Sequence, residues 1–375
     1  LYAGTEYGMY ASFDDGASWK PFQLNLPEVP ITDLQVRDNN LIVATQGRSF
    51  WMIDDLTPLH QLNETVVQAD FHLFEPKPSY GIKQQGRTRR NALLHGKNHP
   101  EGVIIYYHLQ QKPDSSDVVK LEILEENGDV IKTFASNSEK PKQKLRAKKG
   151  SNLFVWDMQY PDAVSFKGLI LYSSNTDGPK AIPGTYKARL TLNGESQEQS
   201  FEILKDPRVK SSQEDLQAQF DFLIDVRDKL SEAHQAVIDI RNLRKDLEYV
   251  KEKLKDNPNA EAILKASEEL DEEMTEIENN IHETRNEAYQ DPLNFGIKLN
   301  NRLAYLATHE SAGDFRPTEQ AIDYKKEVST QIDQEISALK ELLNERLPTI
   351  NQMMEEQSIE VLTRPKTENS EVGMK

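Results

Sequence analysis

Hydrophobic and polar residues alternate in three different ways along this chain. Over residues 1–56 the pattern is short strands broken by turn residues. Leu1-Tyr2-Ala3-Gly4-Thr5 and Gly8-Met9-Tyr10-Ala11-Ser12 predict two strands. Pro30-Ile31-Thr32-Asp33-Leu34-Gln35-Val36 alternates as a half-buried strand does, Asp38-Asn39-Asn40 is a turn, and Leu41-Ile42-Val43-Ala44-Thr45 reads as a buried strand. Residues 57–99 form a connector punctuated by Pro58, Pro76, Pro78, Gly81 and Gly86.

Residues 100–205 carry a second β pattern. Val103 to Leu109 is a strand, and Val119, Leu121 and Ile123 alternate with Lys120 and Glu122. Asn127-Gly128 and Asn193-Gly194 are hairpin turns. Short strands with regular turns over about a hundred residues suit an immunoglobulin-like sandwich, with Trp156 and Tyr186 in its core.

After Lys205-Asp206-Pro207 the period becomes helical. Leu216, Phe220, Leu223, Leu230, Val237, Ile240, Leu247 and Leu254 recur on one side, with Ser211 and Glu214 as a capping box. Asn257-Pro258 caps a second helix, a shorter one carries Leu299, Leu303 and Leu306, and Pro317 starts a last long helix that ends at Pro348. The expectation is an antiparallel helical bundle over 211–350 and a polar tail over 351–375. The whole is a multidomain β + α chain.

A length of 375 residues suits two or three domains. The net charge of −17 argues against nucleic acid, whose phosphates need a basic footprint, and against anionic membrane surfaces. Mean hydropathy is −0.69, and no apolar run approaches the roughly 20 residues of a membrane span. With no cysteine, disulfides, thiolate catalysis and cysteine-ligated metals are excluded. The chain starts within a strand and lacks an initiator methionine or leader. It is expected to be the C-terminal part of a longer protein, so missing targeting signals carry no weight.

The stretch Ser12-Phe13-Asp14-Asp15-Gly16-Ala17-Ser18-Trp19 resembles an Asp box, the S-x-D-x-G-x-x-W signature of sialidase-type and sortilin-type β-propellers. Asp14 can fold its carboxylate onto nearby amides and Gly16 allows a positive φ. Trp19 is expected to re-enter a strand and bury its ring between blades. Ala44-Thr45-Gln46-Gly47-Arg48-Ser49-Phe50-Trp51-Met52-Ile53-Asp54-Asp55 is similar to the closing blade of bacterial sortilin-like propeller proteins, often described as glycosyl hydrolases. Gln46 stands where that family usually has histidine, which counts against any role needing an imidazole there. The resemblance implies that residues 1–56 are the last blade of a propeller whose other blades lie upstream, in an exported bacterial protein. Gly150 to Trp156 with the later Pro183-Gly184-Thr185-Tyr186 looks like the flagellar-hook-cap type of Ig-like module. Lys298 to Leu306 and Asp314 to Thr318 resemble the helical region of the same sortilin-like family.

No strong catalytic motif is present, and no catalytic residue, metal site or cofactor is assigned. Asp14-Asp15 and Asp54-Asp55 fit turn and cap roles better than paired acids for glycoside hydrolysis. His95 and His99 with Glu101 are short of ligands for a metal, and Arg87-Thr88-Arg89-Arg90 suits a solvated loop. His234, His282 and His309 are expected at the surface or its boundary. Arg48 suits a blade-to-blade salt bridge better, and it is also a candidate for the propeller's central pocket, where arginines of a sialidase-like enzyme grip a carboxylate. Three functions follow. The first is a non-catalytic region that closes the propeller and binds protein or glycan, the second the accessory region of a sialidase-like glycoside hydrolase, and the third a purely structural spacer.

Overall fold

The structure, a computed structural model, describes residues 1–82, 99–114, 116–357 and 362. It is a mixed α and β chain with several sheets and a C-terminal helical region. Its contacts divide it into two compact units. One is Leu1–Asp157 with Gly184–Leu204; the other is Met158–Pro183 with the chain from Lys205 onward.

The first unit begins with two antiparallel meanders. β1 (Tyr2–Thr5), β2 (Gly8–Ala11) and β3 (Lys20–Pro21) form one, and β4 (Ile31–Arg37), β5 (Asn40–Thr45) and β6 (Phe50–Ile53) form the other. Residues 1–56 therefore hold two three-stranded sheets. They share one small core in which Met9, Leu41, Val43 and Leu56 are packed by Tyr2, Phe22, Ile31, Leu34, Trp51 and Ile53. The β4–β5 turn places Asp38 and Asn39 at φ 48° and 61°, the twist that suits a two-residue hairpin. Gly4 is set by packing. A Cβ there would lie 2.5 Å from Ile31 Cγ2, so β1 can lie against β4 only without a side chain at this position.

The range 57–99 is more than a connector. It holds α1 (Thr57–Gln61) and α2 (Glu64–Gln68), and it contributes strands β7 (Phe71–Leu73) and β8 (Ser79–Tyr80) to the sheets that follow. Asn63 caps α2, its side chain accepting from Val66 N at 3.0 Å. The cluster Arg87–Arg90 and His95 lie outside the described residues.

Next come β9 (Val103–Leu109), β10 (Val119–Glu125), β11 (Val130–Ala135), β12 (Gly150–Trp156), β13 (Gly184–Leu192) and β14 (Glu195–Leu204). They build a five-stranded sheet, β11-β10-β13-β14-β8, and a three-stranded one, β12-β9-β7. Aromatic rings join the two. Phe134 meets Phe154 at 4.5 Å, and Trp156 meets Tyr186 at 5.8 Å and Phe201 at 6.0 Å. Inward-facing side chains of two sheets make one core in this way. Trp156 and Tyr186 are buried, which leaves no platform for a sugar on their rings.

The second unit starts with Met158–Pro183, which leaves β12 and returns to β13 without joining either sheet. This part of the 100–205 range belongs with the helices. These are α3 (Gln213–Leu254), α4 (Glu261–Ile281), α5 (Pro292–Phe295), α6 (Leu299–Glu310) and α7 (Glu319–Glu356). The capping box of α3 uses Ser212 and Asp215, one residue later than the expected pair. Ser211 instead donates its hydroxyl to the Asp314 carbonyl at 2.6 Å. Asn257 makes a local turn, accepting from Asn259 N at 3.0 Å, and α4 starts beyond it without a side-chain cap. The last helix does not stop at Pro348. Proline removes one backbone donor and crowds the preceding turn, at a cost of about 3 kcal/mol. Leu347, Ile350 and Met354 are buried on either side of it and hold α7 helical to Glu356.

Gly4→Ala should destabilise the first unit by about 1–3 kcal/mol, read as a lower urea midpoint of its fluorescence transition. An unchanged midpoint would show that β1 and β4 can separate freely.

Candidate functional site

The Asp-box residues come together in one hairpin between β2 and β3. Ser12 is buried. Its hydroxyl donates to Asp14 Oδ1 at 2.8 Å and accepts from Gly16 N at 2.8 Å. Asp14 Oδ1 also accepts from Ser18 N at 2.8 Å, and Oδ2 accepts from the Ser18 hydroxyl at 2.5 Å. The chain can bend this sharply because Asp15 and Gly16 adopt φ values of 55° and 94°, which glycine accepts at no steric cost. The Ser18 hydroxyl, followed by the Ser18 amide and the Ser12 hydroxyl, holds the Asp14 carboxyl down at about 2. Both carboxylate oxygens are engaged within the hairpin, so Asp14 acts as a staple.

Trp19 does not bury its ring. It lies beside Gly16 and is 43 % exposed. Its hairpin ends in the two-residue strand β3 at the sheet edge, and among the described residues no further strand extends that sheet. Arg48 stands on the other meander, in the β5–β6 turn, with its side chain exposed. Gly47 and Ser49 take φ values of 79° and 67° there. The Arg48 carbonyl accepts from Trp51 Nε1 at 2.9 Å, so its backbone orients Trp51. Asp55 is buried and accepts from Thr57 N at 3.0 Å and Asn39 Nδ2 at 3.3 Å, tying the β4–β5 turn to the start of α1. Asp54 offers its carbonyl to Lys77 Nζ at 3.4 Å. Tyr106 faces this pair; burial first, then Asp55 and Asp54, push its phenol up to about 12. That hydrogen-bonding pattern makes Asp55 a turn and cap residue.

The surface with the clearest capacity to bind is the outer face of β4-β5-β6. Side chains alternate across a strand. Trp51 and Ile53 enter the inner core, so Phe50 and Met52 point the other way, 78 % and 55 % exposed. Their partners in register on β5 are Ala44 and Ile42, which places four apolar side chains on one face. On β4 the same rows carry Asp33 and Gln35, so the patch is confined to β5 and β6; strands apolar on both sides, as these two are, have the composition of strands covered on both faces. Phe50-Trp51-Met52-Ile53 shows this as an unbroken apolar run in the sequence; only the register reveals which half is open.

Two histidines expected near the surface are deep inside the helical unit. His234 and His282 are buried. The signal was present, since His234 follows Leu230 by four residues and precedes Val237 by three, on the buried stripe of α3. Among the described residues no group of three or more His, Asp or Glu side chains could hold a metal ion. No described helix is long and apolar enough to cross a membrane.

No protein-family model matches the chain, and no curated protein matches it. Among solved structures, a chain described as pT26-6p aligns with 89 % of this chain and 67 % of its own length, at 10 % identity and a TM-score of 0.14. At that score the likeness bears on neither fold nor function.

Asp14→Ala should lower the thermal midpoint of the first unit at pH 7 by a few degrees. The acid dependence has a definite sign. A carboxyl depressed in the folded state supports folding above its ordinary value near 3.9 and loses that support as pH falls toward 2. The wild-type and Asp14→Ala midpoints should therefore converge between about pH 4 and pH 2, as differential scanning fluorimetry would show.

Proposed function

We propose that this chain is a non-catalytic C-terminal region of an exported bacterial sortilin-like Asp-box propeller protein. Its N-terminal sheets close the propeller, and its β and helical modules mediate contacts with protein or glycan. One observation carries the reading. The inner face of β4-β5-β6 is apolar, and its outer face carries an open apolar patch of Ile42, Ala44, Phe50 and Met52 on β5 and β6, bordered by Asp33 and Gln35 of β4. Propeller blades bury both faces against neighbouring sheets, and an open blade face is what a terminal blade offers to the next one. The Asp-box hairpin adds support, since the side-chain bonds of Ser12 and Asp14 all lie within it. A hairpin built this way stabilises architecture without presenting a reactive carboxylate. The Ig-like reading of the two aromatic-cored sheets belongs to the same proposal.

The chain has no cysteine, so a single introduced one reports its own environment. Phe50→Cys should react with a maleimide at the rate of an exposed thiol in this chain. In the longer protein that includes the upstream blades it should react at least about tenfold more slowly. Equal rates would remove the propeller-closing role. Turnover of fluorogenic sialosides or aryl glycosides by the longer protein, lost in Arg48→Ala, would replace the non-catalytic reading with a sialidase-like glycoside hydrolase.

A further inference from the structure

The segment 158–183 has no strand or helix of its own; some of its backbone groups pair within it, as Ala163 N does with the Thr176 carbonyl at 2.7 Å, and the other inward ones need side-chain partners. The helices supply them. Ser231 Oγ on α3 accepts from Val164 N at 3.1 Å, and His234, one turn further on, bonds the Val164 carbonyl through Nδ1. On α6, Asn301 accepts from Tyr172 N at 2.7 Å and donates to the Tyr172 carbonyl at 3.1 Å. Between these anchors the Phe166 ring stands edge-to-face against two imidazoles, 5.1 Å from His234 and 5.0 Å from His282. The Arg241 guanidinium covers the same ring at 4.6 Å.

The protonation states follow from the partners. His234 Nδ1 meets a carbonyl and so carries its proton, which leaves Nε2 as an acceptor. Asn300 is buried and sets its amide nitrogen 3.2 Å from His234 Nε2 and 3.2 Å from His282 Nδ1. An amide nitrogen has two N–H groups and no lone pair to offer. Each imidazole therefore accepts one of them, and both rings are neutral. A proton added to either acceptor would place N–H against N–H in a buried site.

We propose that residues 162–175 form an acid-released strap, held on α3, α4 and α6 only while His234 and His282 are both neutral.

The charged groups around the pair act in both directions, and the lowering ones are larger. Arg241 on α3 disfavours a second positive charge at His282. Glu278 on α4 would favour one, but its oxygens are engaged by Arg241 at 2.7 Å and Arg244 at 2.8 Å. Glu283, just beyond α4, is held by Arg285 at 2.8 Å and kept down at about 2, so it stays charged throughout the relevant range and favours a protonated His282, but less than burial and Arg241 disfavour it. From the strap itself, Lys167 presents its carbonyl to Arg241 at 3.1 Å. Burial, with the Arg241 charge adding at His282 and the Val164 carbonyl opposing at His234, holds both imidazoles down at about 4.

The sign is fixed by these values. Released imidazoles titrate near 6.5, so docking is fully favoured above that pH and weakens as pH falls toward 4. Each imidazole changes the docked-to-released ratio by about tenfold per pH unit within the window.

Ser165 is exposed on the strap, and Ser165→Cys gives a single site for a nitroxide label. In the full chain the label should be immobilised at pH 7.5 and become mobile between pH 6 and pH 4.5, as ordered by roughly tenfold steps. Helical circular dichroism should be retained across that range. The combined variant His234→Gln and His282→Gln keeps amide donors and acceptors without a titrating ring; its label should stay immobile to pH 4.5. A wild-type label that never mobilises, release in the variant at the same midpoint, or release that coincides with loss of helix would each overturn the proposal. Should the variant fail to fold, imidazole carbon shifts of the wild type decide. The two buried rings must titrate at the midpoint of label release, and a mismatch overturns the proposal equally.

Discussion

The helical unit depends on burial of the broad apolar stripe of α3. Its inward residues run from Leu216 through Val226, Leu230, Val237, Ile240 and Leu247 to Leu254, and no single neighbour can cover a stripe of that width. Helices α4, α6 and α7 all contribute to the same core, with Leu270, Met274, Leu303, Val328 and Ile332 among its fully buried members. Ala163 and Leu171 of the segment 158–183 belong to that core as well. Once an irregular segment is drawn into a helical core by two apolar side chains, its backbone polar groups must be satisfied there. Ser231, His234 and Asn301 meet that demand, and this is why polar residues interrupt otherwise apolar helix faces.

The same burial explains the arginine–carboxylate cluster between α3 and α4. Arg244 donates to Asp271 at 2.7 Å, to Glu278 at 2.8 Å and to the Thr275 hydroxyl at 2.9 Å. Glu278 is 2 % exposed. A carboxylate so far from water persists only with its lone pairs engaged, and two guanidinium groups engage them. Removal of one partner would leave a buried charge uncompensated, which is more damaging than the pair itself is stabilising.

In the first unit the constraint is different. Strands there are short, and each sheet needs a second layer. The aromatic rings of Phe134, Phe154, Trp156, Tyr186 and Phe201 provide it between the two larger sheets. The two N-terminal meanders share one small inner core, and the outer face of β4-β5-β6 remains open. Gly4 and the Asp-box hairpin keep these small sheets in close register: the first by permitting contact, the second by closing a turn with side-chain hydrogen bonds.

The sequence by itself determined what local chemistry controls. Turn residues placed the hairpins at Asn127-Gly128 and Asn193-Gly194, and helical periodicity placed α3, α4, α6 and α7. The spacing of Ser12, Asp14 and Gly16 described a stapled turn whose bonds the structure shows atom by atom. Tertiary structure decided everything that depends on a distant partner. Pro348 remains inside a helix because buried neighbours outweigh a local breaker. Trp19 stays exposed because nothing described packs beyond β3, and segment 158–183 joins the helices because its apolar residues find their core there. His234 lies on the apolar stripe of α3, which periodicity can show, whereas His282 looks like an ordinary polar residue at a helix end. Their burial follows from Phe166 and Asn300, which are remote in sequence from at least one of them, and periodicity within one helix carries no information about what another segment brings to it.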